Sequence, residues 1–170
     1  MKHHAVVLTA MLAVICSLAS LAAAQAAVSE VRGPIWISVP GSAGALQSIQ
    51  VKAPANGNLM VTVTGTLVYE HAQGTQGDYC LTLSQTSGDT SGCVPDEGSD
   101  SAIRSFISSE IPSTVSGMGA SEQYSIVRTY SVTRGTTYTL YLNGYQGGFN
   151  GAWLFQPAMT ALFLPGTLAQ

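Results

Sequence analysis

Three groups of side chains have the types and spacing to do chemistry. His71 stands between Glu70 and, seven residues on, Asp78, and it is the one histidine beyond the first four residues. An imidazole oriented by a carboxylate is a general base, and two carboxylates at a suitable separation can cleave a glycosidic bond. A secreted hydrolase, an esterase or glycosidase using His71 and neighbouring acids, is therefore one expectation. It lacks a nucleophile: no Gly-x-Ser-x-Gly elbow occurs and no serine is singled out. The bland alternative is a solvated histidine at a strand end, and on that reading the chain is not an enzyme.

The second group is acidic. Asp96, Glu97 and Asp100, with Asp89 nearby, offer the hard oxygen ligands that calcium takes. Their spacing matches no EF-hand, and acids in a water-facing loop also serve solubility. The expectation is no cofactor, with calcium on this loop as the alternative. The third group is aromatic: Tyr141, Tyr145, Phe149 and Trp153 are interleaved with Asn143, Gln146 and Asn150 and with four glycines. Aromatic faces covering sugar C–H surfaces, with amides bonding hydroxyls, suit a glycan site, since binding pockets combine apolar walls with a few placed polar groups. Against this, Asn143-Gly144 and Asn150-Gly151 are also turn dipeptides chosen for positive φ.

Something must hold these groups, and the chain begins with a segment that cannot. Met1 to Ala26 reads as a secretory signal: Lys2 beside the amino terminus, an uncharged apolar run from Ala5 to Ala23, and Ala24-Gln25-Ala26 as the small-residue cleavage site. Cleavage leaves residues 27–170 as one β-sandwich domain, secreted to an extracellular or periplasmic space and free of the membrane. Of the three cysteines, Cys16 falls in the signal. Cys80 and Cys93 are then an even pair in an oxidising compartment and predict a disulfide, worth about 3 kcal/mol for so short a loop in a chain-entropy model. Charged residues make up 9% of the chain, against about 25% in typical globular domains. The few positive side chains are scattered, which excludes a nucleic-acid-binding patch.

The elements read as strands. From Asn58 to Glu70, Leu59, Val61, Val63, Leu67 and Tyr69 take one parity and Thr62, Thr64, Thr66 and Glu70 the other, the pattern of a half-buried strand. Gly65 within it predicts a bulge or a close approach by a neighbour. Ile35, Ile37 and Val39, then Ile49, Val51 and Ala53, then Leu81 and Leu83 are the inward sets of further strands, and Ile103 to Ser108 is a weaker one. Tyr124 to Thr133 and Thr137 to Leu142, joined by Arg134-Gly135, read as a hairpin, with Arg128 at an exposed edge. From Trp153 to Pro165 apolar residues occupy both parities, which predicts a strand buried on both sides, at a sandwich centre or an oligomer interface. The sum is an all-β, antiparallel β-sandwich of jelly-roll type with about eight to ten strands.

Two stretches resemble the C1q- and tumour-necrosis-factor-like jelly-roll domains. One is Val51-Lys52-Ala53-Pro54-Ala55-Asn56-Gly57-Asn58-Leu59, similar to their proline-to-glycine turn into a long inner strand. The other runs from Thr133-Arg134-Gly135 through the alternating Tyr138-Thr139-Leu140-Tyr141-Leu142 to the terminal strand Met159 to Leu164. The resemblance implies a sandwich of ten-stranded type that trimerises and binds ligands through loops, without catalysis. The function expected is thus a secreted binding or assembly module, a homo-oligomer with a carbohydrate or protein ligand. A structural subunit of an extracellular matrix or appendage is the further alternative.

Overall fold

The computed structural model describes residues 28–71, 77–93, 102–107 and 119–166. Among them run nine strands: β1 Val28–Arg32, β2 Trp36–Ser38, β3 Gly44–Lys52, β4 Gly57–His71, β5 Gly77–Ser84, β6 Ala102–Ile107, β7 Gly119–Val132, β8 Thr137–Gly147 and β9 Phe149–Pro165. The first half of the chain pairs with the second in nested order: β1 and β2 with β9, β3 with β8, β4 with β7, β5 with β6. This long hairpin rolls up when β4 also pairs with β9 and β5 with β8. The result is two antiparallel sheets, β1-β9-β4-β7 with β2 beside β1 on the same edge of β9, and β3-β8-β5-β6. That winding is the jelly roll, which uses two Greek keys to keep edges few.

The period-two pattern of β4 is realised as read. Leu59, Val61, Val63 and Leu67 are sealed between the sheets, facing Leu81, Leu83, Leu140 and Leu142 of the other sheet. Removing one such side chain leaves a cavity costing about 2–5 kcal/mol. Gly65 shows both features predicted of it. The β4–β9 register shifts between Thr64 and Thr66, and a Cβ on Gly65 would lie 2.7 Å from the Tyr124 hydroxyl.

Several expectations about elements are corrected. β7 and β8 are not a hairpin. They lie in different sheets, and the Arg134-Gly135 turn, with Gly135 at φ 79° and its N–H donating 2.8 Å to the Ala53 carbonyl, is a corner between layers. Alternation shows that two strands exist but not which sheet each joins.

β9 is not buried on both faces. Ala152 and Leu154 face the core upstream, Pro157, Met159, Ala161 and Phe163 downstream, and the parity changes at Gln156, a bulged residue at φ 50°. One inserted residue turns two parities into one buried face.

β7 also starts at Gly119, five residues before its apolar pattern, because β4 supplies ladder partners as far as Glu70↔Gly119. β1 went unread for a similar reason, its five residues being held by the register Val28↔Leu162 to Arg32↔Ala158. Ile35, expected inside, is 62% exposed in the link before β2.

The Cys80–Cys93 disulfide is present, with Cα atoms 6.0 Å apart, a span that such a bond bridges. It ties residues 85–93 across the outer face of β5 and β8, which is why Cys80, Thr82 and Ser84 are buried along with Leu81 and Leu83. Along the opposite open side, β7 is laced to β5. Arg128 Nη1 and the Tyr130 hydroxyl both donate to the Leu83 carbonyl, at 2.8 and 3.0 Å, and the Tyr79 hydroxyl donates to Glu122. Arg128 is thus exposed at an edge strand, as read. Inward-pointing charges on an edge strand also discourage edge-to-edge pairing.

Candidate functional site

The aromatic group read from the sequence is dispersed by the fold. Tyr141, Asn143 and Tyr145 alternate with the buried Leu140 and Leu142 on β8, so they point to the outer face of the second sheet. Asn143 is fully enclosed there. Its Oδ1 accepts the Gly88 N–H at 2.7 Å, and its Nδ2 donates to Ser84 Oγ at 3.2 Å and to the Thr86 and Asp89 carbonyls at 3.0 and 3.1 Å. The amide is a hub for the disulfide-tied loop, which would otherwise bury unpaired carbonyls. Asn143-Gly144 is therefore no turn. Gly144 sits mid-strand because a Cβ would come 2.8 Å from the Cys80 carbonyl.

Gln146 holds the β8–β9 corner, its Oε1 accepting the Phe149 N–H at 3.3 Å, while the positive φ falls on Gly148. Phe149 packs between the sheets, stacked on Tyr69 with centroids 4.9 Å apart. Asn150 is exposed where β9 shifts register between Glu70 and His71. Trp153 lies on the outer face of the first sheet, across the molecule from Tyr141. The seven side chains do not share one surface.

Two members of the hydrolase grouping point away from each other. Glu70 alternates with buried Tyr69 and points out of the first sheet, and Asp78 alternates with buried Tyr79 and points out of the second. The side chain of His71 lies outside the described residues, as do Asp96, Glu97 and Asp100 of the calcium reading. The Asp89 carboxylate accepts the Ser91 hydroxyl at 2.7 Å and the Ser91 N–H at 3.0 Å. Those bonds hold its pKa below the usual value.

What the fold does assemble is a trough on the outer face of the first sheet, centred on the β9 bulge. Opposite Gly65, β9 carries an extra residue, so the surface dips between the side chains around it. The trough encloses about 470 Å³, bounded by Thr64 to Thr66 of β4, Gln123 to Ser125 of β7, and Phe155 and Gln156 of β9. Every lining side chain is neutral. Beside it the Trp36 and Phe155 rings meet at 4.7 Å, tilted by 47°, with Trp36 half exposed at 52%. Trp153 continues this row on the same face, one cross-strand pair further along β9.

Under the trough lies the Tyr124 ring, buried and pressed against Gly65. Its hydroxyl has no hydrogen-bond partner among the described residues, and burial drives its pKa upward. A second depression of about 290 Å³ adjoins the first across Gln156, where the link between β1 and β2 passes over Pro157. Gly33 N–H donates to the Pro157 carbonyl and Gln156 N–H to the Ile35 carbonyl, both at 2.9 Å.

Trp36, Gln123 and Gln156 were not singled out from the sequence. A signal existed for Trp36, since it alternates with Ile37, and outward tryptophan is uncommon. Nothing local could have placed it beside Phe155, more than a hundred residues away.

No family model matches this sequence, and no curated protein matches it. Among solved structures, the chain is similar to the VP2 subviral particle of infectious bursal disease virus, with TM-score 0.40 and 12% identity over 79% of this chain and 32% of that one. It is similar also to the Gx strain of that virus, at 0.42 and 12% over 82% and 33%. A third likeness is to dimeric latent PorU from Porphyromonas gingivalis, at 0.40 and 10% over 79% and 12%. This chain spans about a third or less of each of them. At TM-scores of 0.40 to 0.42 these likenesses carry no argument about this chain.

Proposed function

We propose that this protein is a secreted, non-catalytic binding module whose ligand is a neutral glycan, held in the trough around Gln156. The observation that carries the reading is the composition of that trough. Hydroxyl and amide groups line a charge-free depression next to the half-exposed Trp36 and Phe155 rings, the combination of apolar face and placed polar groups that suits a sugar. The trough is built on strands, so the ligand meets a sheet face and not the loops first expected to bind it. Strands position side chains more firmly than loops do. The pattern-level resemblance to C1q- and tumour-necrosis-factor-like domains adds self-association to this reading, with a closed trimer as its form.

The test is a glycan array on the mature protein, followed by calorimetry with the sugars it selects. Trp36→Ala and Phe155→Ala are each expected to weaken binding by about tenfold, the loss of roughly 1.4 kcal/mol. Tyr141→Ala and Tyr145→Ala, on the opposite face, are expected to leave affinity unchanged. An empty array, or binding lost in the Tyr141 and Tyr145 variants and kept in the Trp36 variant, overturns the assignment.

A further inference from the structure

We infer that the site, on the glycan reading just given, takes a chain of about three sugar units laid across the strands from the β1–β2 link to β7. The two depressions are the reason. One is bounded by β4, β7 and β9, the other by Arg32 of β1 and Gly33 and Ile35 of the β1–β2 link together with Pro157 and Ala158 of β9, and Gln156 borders both. Sheet order makes them consecutive: the β1–β2 edge, then β9, then β4, then β7. Four strand positions enclose three gaps of about 4.8 Å, so the combined groove runs about 14 Å, the length of about three pyranose rings. A single sugar would fill only one side of Gln156.

The groove also selects against charge. Arg32 of β1 is the charged side chain lining it, and Glu30 on the same strand pairs with that guanidinium, Nε to Oε1 at 2.7 Å. Their field largely cancels, leaving no net attraction for a uronate or a sulfated sugar. Along the remainder, hydrogen bonds come from Gln156, Gln123, Thr64, Thr66 and Ser125, all neutral. Gln156 is central to both halves because the bulge lifts its side chain to the exposed side of the strand.

Matched series of glucose, mannose and N-acetylglucosamine oligomers, from one unit to six, are titrated against the mature protein. For a series that binds, affinity is expected to rise by about tenfold between one unit and three and to stay level beyond. Ile35→Ala, at an exposed position where folding is little affected, is expected to abolish the gain at three. Equal affinity for one and three units, or a gain that survives Ile35→Ala, overturns the extended groove while leaving a trough site standing. Tighter binding of matched uronate oligomers overturns the neutral-chain assignment. If no series binds, the glycan reading itself falls and the groove inference with it.

Discussion

At the scale of single residues, Gly65 and Tyr124 form the most telling pair. The absence of a side chain on β4 lets the Tyr124 ring lie flat against the strand, and that ring supports the trough. Gly65→Ala places a methyl group within 2.7 Å of the phenol oxygen, an overpacking expected to cost about 1–3 kcal/mol. Tyr124→Phe removes a buried hydroxyl that has no partner among the described residues and is expected to raise stability by about 1 kcal/mol. Urea denaturation of both variants checks the pair. A Gly65→Ala protein as stable as the parent, or a destabilised Tyr124→Phe, would show that the packing there is looser than described. Asn143 carries the opposite lesson. An amide that looks like a ligand-binding group in sequence is consumed by four hydrogen bonds inside the protein.

Among the elements, β9 decides most. It pairs with β1, β2 and β4, and its bulge at Gln156 sets which side chains just upstream face the core. Deleting Gln156 would invert the parity of residues 151–155 relative to β4. Trp153 and Phe155 would turn inward, and Ala152 and Leu154 outward, or else the register with β4 must slip. A loss of several kcal/mol is expected, since Leu154 alone is a fully buried side chain. Thermal unfolding followed by circular dichroism is the measurement, and a deletion variant melting within a few degrees of the parent would show that the bulge is not what orients the strand.

For the whole molecule, the surface is governed by scarcity of charge. Among the outward residues of β4, β7 and β9, Glu70 at one end is the charged one, and the centre of that face is Thr, Ser and apolar side chains such as Met60, Leu162 and Val127. A face without like charges to repel its copy permits self-association, and the association should owe little to electrostatics. The expected result of light scattering on the mature protein is a closed oligomer whose mass does not change between low and high salt. Polymers that lengthen with concentration would instead support a structural subunit. A salt-sensitive or monomeric mass would remove self-association from the reading.

Local pattern was sufficient for several features of this protein. The alternation of Leu59 to Tyr69, the inward Leu81, Leu83, Leu140 and Leu142, the special status of Gly65 and the pairing of Cys80 with Cys93 were all legible, because each depends on side-chain period or on a simple count. Jelly-roll architecture followed from many such strands separated by turns. Tertiary structure alone decided which sheet each strand joined, so it separated β7 from β8 and sent Tyr141 and Trp153 to opposite faces. It alone decided the bulge at Gln156, because an extra residue in a strand is defined by the partner it fails to match, and that partner is about ninety residues away. The trough inherits this. Its walls come from β4, β7 and β9, and no short window of sequence contains two of them.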